Sequence, residues 1–265
     1  MTIVKGVLLT KKSAFQIYAA NYLFKEGVID SVIFERGRPS FAEKKNILEL
    51  AKIFLLEFNL SKNQFIKIQN KFFFKRYFGN KDFHDERILK SDYAEINSNL
   101  TSLNVDNIND IVVYNTIREK NINFIYVFGT SILKKKILSI ENSLFINLHW
   151  GLSPLYRGEG IISALSMEGV EGLGVTVHLV DENIDSGNII HQYKPDIDLQ
   201  DNFYSIGLKL TLLGLKGFMA INKKLKTNTK LNQIKQNLKK GNLYTSKFFK
   251  KNPHLILKAW KNLRE

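Results

Sequence analysis

The chain contains no cysteine. Disulfide cross-links and thiolate metal ligands are therefore excluded, and the composition suits a reducing compartment. No pair of histidines shows an H-x-x-x-H spacing and no cluster has metal-ligand spacing, so no metal is expected. No run approaches the roughly 18 consecutive apolar residues that a membrane-crossing helix needs. The start, MTIVKGVLLTKK, has a short apolar run and no small-residue cleavage site. It reads as a first strand and not as a signal peptide, and a cytoplasmic location with no membrane span is expected. The segment after that strand, Leu8–Ala14 (LLTKKSA), carries neither G-x-G-x-x-G nor G-x-x-x-x-G-K-[ST]. The usual dinucleotide and triphosphate cradles are thus missing. Internal repeats and low-complexity linkers are absent as well.

What the chain does have is 265 residues, 44% of them hydrophobic, enough for a substantial core. The net charge of +14 is unevenly placed. Ser205–Glu265 holds fifteen Lys and Arg and one Glu, whereas residues 1–204 balance at 24 of each sign. Such a basic segment can meet nucleic acid, an anionic membrane or a phosphorylated substrate, or it can simply solvate helices with lysine. The lysines are scattered and not interleaved with aromatics, which favours solvation.

Residues 2–9 are β-branched and apolar, a buried strand. Ser13 followed by Gln16 resembles a capping box. Phe15, Tyr18, Ala19, Tyr22 and Leu23 then recur at helical spacing up to Gly27, and Asp30–Glu35 forms a second strand. Strand, helix and strand in this order make a βαβ unit and imply a partly parallel sheet. Phe41–Phe58 reads as a helix. The aromatic and basic run Phe72–Asn80 is either a buried segment or a wall that stacks on a ring. Asp106 is positioned to cap a helix reaching Lys120. Phe124–Leu133 is a strand running into a turn at Gly129, Thr130 and Ser131, and further strands follow over Leu144–His149, Gly174–Val180 and Asn188–Pro195. A long amphipathic helix over residues 200–226 closes the sheet, and a final short helix lies around Leu255–Leu263. The expected fold is α/β: a Rossmann-like open, mostly parallel sheet with helices on both faces, plus a small basic C-terminal extension.

The chemistry concentrates between Phe145 and Ile190. Asn147 and His149 are two apart at a strand end, so their side chains share one face. In open α/β sheets ligands sit at the carboxyl ends of strands. An amide donor can hydrogen-bond a developing oxyanion, and an imidazole can take or relay a proton near neutral pH. The loop Asp181–Gly187 (DENIDSG) offers Asp185 as a carboxylate to orient the imidazole or hold a water. Direct attack by a substrate amine then needs no Ser or Cys nucleophile. An N-x-H after a strand also has a purely structural reading. His178 reads as a core-edge histidine, and His84, His191 and His254 as surface or structural ones.

NLHWGLSPLYRG (Asn147–Gly158) resembles the N-x-H-x-S-L-L-P-x-Y-R-G signature of the 10-formyltetrahydrofolate-dependent formyltransferase family. GVTVHLVDENIDSGNII (Gly174–Ile190) resembles that family's second block, and FGTSIL (Phe128–Leu133) its folate-side segment. The resemblance implies a formyltransferase with Asn147, His149 and Asp185 as catalytic residues. It implies that Gly151, Leu152, Ser153 and Pro154 border 10-formyltetrahydrofolate, the co-substrate. It also implies that Thr130, Ser131, Ile132 and Leu133, with Val180 and Asp181, grip the pterin through their backbone. Residues 1–204 would then be the catalytic domain and 205–265 the closing helix with its basic extension.

Two positions depart from the signature: Gly151 stands at its Ser and Ser153 at its second Leu. The G-L-S-P form is closer to the sugar-directed members. Glu159 stands where some sugar-modifying relatives have a base-contacting Arg, so any nucleotide contact is made differently. The expected acceptor is the amine of a nucleotide-linked amino sugar, for surface polysaccharide such as O-antigen lipopolysaccharide. Alternatives are methionyl-tRNA, whose formyltransferases carry a C-terminal barrel too large for the residues that follow the long helix here, or another small amine. A non-catalytic folate- or nucleic-acid-binding relative is the remote alternative. Nucleic acid is not expected as a partner, and a homodimer is compatible with the sequence.

Overall fold

A computed structural model of the chain describes residues 6–36 and 95–263. The expectations for Phe41–Phe58, Phe72–Asn80 and His84 lie outside those residues. In chain order the elements are β1 (Gly6–Lys11), α1 (Ala14–Lys25), β2 (Ser31–Glu35), β3 (Thr101–Val105), α2 (Ile111–Glu119), β4 (Phe124–Phe128), α3 (Lys135–Leu138), β5 (Leu144–His149), β6 (Tyr156–Gly158), α4 (Gly160–Glu168), β7 (Val175–Leu179), β8 (Ile189–Tyr193), α5 (Phe203–Lys226), β9 (Asn242–Tyr244), α6 (Ser246–Lys251) and α7 (Pro253–Asn262).

Seven strands form one sheet in the order β3-β2-β1-β4-β5-β7-β8. The first five are mutually parallel, whereas β7 and β8 join antiparallel. Period-two alternation explains why both faces are covered. Val7, Leu9, Ile125 and Val127 point to one core, with Val113, Ile117 and Ile137 from α2 and α3. Leu8, Tyr126 and Ile146 point to the other, with residues of α1, α4 and α5. The sheet is therefore Rossmann-like and mostly parallel. Its strand order reverses between β1 and β4, the kind of switch point at whose carboxyl strand ends open α/β sheets bind ligands. Thr10 Oγ1 donates to Phe128 O at 2.7 Å and ties those two ends together.

Two helix starts differ from expectation. Ser13 occupies the N-cap of α1, yet its hydroxyl bonds the side-chain oxygen of Gln16 and caps no backbone N–H. The second helix begins after Asp110, not Asp106, which instead pairs with Arg36 at 2.9 Å on the surface. The long closing helix α5 does carry a capping box: Asn202 accepts from the backbone N–H groups of Tyr204 and Ser205, and the Ser205 hydroxyl accepts from Asn202 N–H.

By length and composition α5 would suit a bilayer crossing, but most of it is buried inside the fold. Two glycines let it lie close on the sheet. A Cβ at Gly214 would fall 2.2 Å from the Leu148 side chain, and one at Gly217 would fall 2.8 Å from Val177. Beyond α5 the chain folds back: Phe249, Ile256, Ala259 and Leu263 are buried in the same core, and Asn262 Nδ2 donates to Leu165 O at 2.7 Å. Gly214→Val should overpack the contact with Leu148 and lower stability by about 1–3 kcal/mol, read as a lower urea midpoint.

Candidate active site

Strand β5 delivers two polar side chains to one face. Asn147 and His149 alternate with Ile146 and Leu148, which stay in the core against α5. The chain then turns sharply: Gly151 N–H donates to His149 O at 3.0 Å, and the Ser153–Pro154 peptide is cis. Thr176, opposite His149 in the β5–β7 register, organises this turn. Its hydroxyl donates to Gly151 O at 2.6 Å and accepts from Ser153 N–H at 2.9 Å. Gln192 Nε2 adds a bond to Ser153 O at 2.7 Å.

Asp185 is the centre of the cluster, with a side chain only 12% exposed. Its Oδ2 lies 3.3 Å from His149 Nδ1 and accepts from Gly158 N–H at 2.9 Å. Its Oδ1 accepts from Asn147 Nδ2 at 3.2 Å and lies 3.5 Å from His178 Nε2. Burial alone would push this carboxyl up; the charge of His149, the neighbouring His178 and the Gly158 N–H outweigh it. They hold Asp185 well below the usual carboxylate range. His149 faces acceptors on both sides, because its Nε2 is 2.7 Å from Tyr156 O. His178 Nδ1 faces Leu179 O at 2.7 Å, which sets a proton on Nδ1 and leaves Nε2 to accept from Asn147 Nδ2 at 3.1 Å. Both hydrogens of the Asn147 amide are thus held inside the cluster.

The structure therefore brings Asn147, His149 and Asp185 together and adds His178, which the sequence reads as a core-edge residue. The alternation of Thr176 and His178 against Val175 and Val177 is the signal for it: both polar residues face the site, opposite His149 and Asn147.

Part of the backbone of the expected folate-side residues is already engaged. Ser131 N–H donates to Glu35 Oε2 at 2.7 Å, and the buried Glu35 also accepts from Ile108 N–H at 3.1 Å. Thr130 precedes this bond and is half-buried. Ile132 is 61% exposed, its carbonyl accepting from Asn109 Nδ2, while Leu133 belongs to the core. Val180 N–H continues the sheet to Phe145 O at 3.0 Å. The Asp181 carboxylate shapes the acidic loop by accepting from Asn183 N–H at 3.1 Å and Ser186 Oγ at 2.5 Å. Gly151 and Ser153 are buried, Leu152 and Pro154 half-buried. Trp150 Nε1 and Ser153 Oγ, next to these residues, are buried without a hydrogen-bond partner among the described residues. Among those residues no group of three or more His, Cys, Asp or Glu is arranged to hold a metal ion.

Because its folded pKa is depressed, Asp185 contributes stability that is full above the unfolded carboxyl value, roughly 3.9, and fades as pH falls below it. Asp185→Asn should therefore be less stable than the parent at pH 5. The gap should narrow as urea unfolding is repeated toward pH 3.

Residues 96–220 match the family described as formyl transferase. The chain is 29% identical over 157 residues to methionyl-tRNA formyltransferase of Buchnera aphidicola, covering 59% of this chain and 49% of that protein. It thus spans about half the length of the curated relatives it matches. A 4-N formyltransferase from Francisella tularensis has a similar fold, with a TM-score of 0.58 at 14% identity over 98% of this chain and 88% of that one. An N-formyltransferase from Helicobacter canadensis, in complex with folinic acid and dTDP-3-aminofucose, gives 0.54 at 17% identity over 97% and 80%. At these identities the likeness is one of fold. The segment that matches the formyl transferase family contains the whole Asn147–His149–Asp185 cluster.

Proposed function

We propose that the protein transfers the formyl group of 10-formyltetrahydrofolate to the amine of a nucleotide-linked amino sugar, in the cytoplasm, for a surface polysaccharide. The observation that carries the reading is the Asp185 carboxylate shared by His149 and Asn147 at the carboxyl end of β5. The co-substrate supplies an activated formyl carbon. Gly151–Pro154, Thr130–Leu133 and Val180–Asp181 would hold it, and Trp150 Nε1 and Ser153 Oγ, without a partner among the described residues, suit a heterocycle with several acceptors.

The chain's own part is positional and electrostatic. Asn147 Nδ2 gives up one of its bonds, to Asp185 or to His178, and donates to the oxyanion that develops as the amine attacks. His149 takes the proton released by the attacking nitrogen and returns it to the departing one. Asp185 holds the His149 ring in place through its contact with Nδ1.

The sugar-directed reading is supported by the G-L-S-P form at Gly151–Pro154 and by the fold shared with the Helicobacter canadensis enzyme and its amino-sugar ligand. A second reading, methionyl-tRNA as acceptor, is favoured by the names of the curated relatives. Formyl transfer assayed with a panel of nucleotide-linked amino sugars and with methionyl-tRNA separates the two. Turnover with one sugar and none with tRNA is expected; turnover with tRNA alone contradicts the proposal. With the active acceptor, Asn147→Ala should stay folded and lose about 10²–10³ in rate. Parental turnover in that variant would remove Asn147 from the mechanism.

A further inference from the structure

Between α5 and α6 the basic C-terminal region passes through the site. It first bridges β8: Ile234 and Ile189 exchange two backbone bonds of 2.9 Å. It then reaches the acidic loop at Gln236. Next it packs on the cis-proline turn, where a Cβ at Gly241 would come 1.9 Å from Pro154 O and Asn242 N–H donates to Leu155 O at 3.2 Å. It ends as β9, parallel to β6, with Tyr244 O accepting from Glu159 N–H at 2.7 Å. The strap thus joins the two loops that carry the partners of His149: Tyr156 O on one side and Asp185 on the other.

Gln236 is the contact with chemical consequence. It is 8% exposed, and its Nε2 donates to Asp185 O at 3.0 Å and to Gly187 O at 2.7 Å. The amide orientation is fixed, because the reverse flip would set Oε1 against two carbonyl oxygens. Its Oε1 is left buried with no partner among the described residues, so both donors are kept on the loop despite an unsatisfied acceptor. The loop needs such a hold. Asp185 adopts φ +49°, in the left-handed region that a non-glycine residue seldom enters. Gln236 holds its carbonyl while Gly158 N–H holds its carboxylate. Gln236 lies past residue 220, where the family match ends.

We propose that Gln236 is a positioning residue for the transfer reaction, clamping the backbone on either side of Ser186 so that the Asp185 carboxylate stays on His149 and Asn147. The catalytic consequence rests on the formyl-transfer reading; the structural one does not. The test uses Gln236→Met, which keeps the length and loses both donors, and Gln236→Lys, which restores a donor. The first readout is hydrogen exchange of the Gly158 amide in the ligand-free protein, since that N–H is bonded to Asp185 Oδ2. The second is kcat and KM with the active acceptor.

In Gln236→Met the Gly158 amide should exchange faster while amides shared by β1 and β4 keep their protection. Its kcat should fall by up to about 10²-fold with KM for both substrates little changed, and Gln236→Lys should recover most of the loss. Parental exchange at Gly158, or parental kcat, in Gln236→Met overturns the proposal. Should Gln236→Met unfold, Gln236→Lys decides: parental exchange and kcat support the clamp, and loss of both overturns it. Lack of turnover in the parent protein contradicts the formyl-transfer reading alone, because the Gly158 readout needs no substrate.

Discussion

One buried carboxylate sets the terms for everything around it. Removing the Asp185 charge from water is costly unless each oxygen is met by donors. Its polar neighbours come from three separate places: His149 and Asn147 from β5, His178 from β7, and Gly158 N–H from the end of β6. The sheet aligns the first two groups through the antiparallel register that sets Asn147 opposite His178. The turn through cis Pro154 brings Gly158 back to the same place. The same contacts that satisfy the charge also draw the polar side chains together, so stability and the geometry of the candidate site have one physical origin.

The elements that rest on local pattern were legible in the sequence. Apolar β-branched runs mark β1, β4 and β5, and period two puts Asn147 and His149 on one face. The motif resemblance led to Asp185. What could not be read depends on choices between equivalent local signals or on distant pairing. Asp106, Asn107, Asn109 and Asp110 all offer capping side chains within five residues; the last occupies the N-cap position, without a side-chain capping bond. Ser13 and Gln16 have the spacing of a capping box, but their side chains bond each other. His178 gains its role only from the register of β7 on β5. Gln236 reaches Asp185 across about fifty intervening residues, a contact with no periodic signature.

The excess of positive charge also takes a clearer form. Part of it is structural: Lys209 bonds Asp201 at 2.6 Å and Asp198 at 3.2 Å, and Lys226 Nζ donates to Gly27 O at 2.8 Å. The segment that approaches the acidic loop does so through a neutral amide and backbone groups, not through lysine. The basic composition of the C-terminal region and its contact with the site are therefore separate features carried by different residues.

The most direct test of this account is a double-mutant cycle between His149→Gln and Asp185→Asn, measured on kcat/KM for formyl transfer. If the carboxylate acts through the imidazole, the double variant should be little slower than the slower single one, since the second change removes an interaction already lost. Independent losses that multiply in full would mean that Asp185 and His149 do not work as a unit, and would contradict the central role given to their contact.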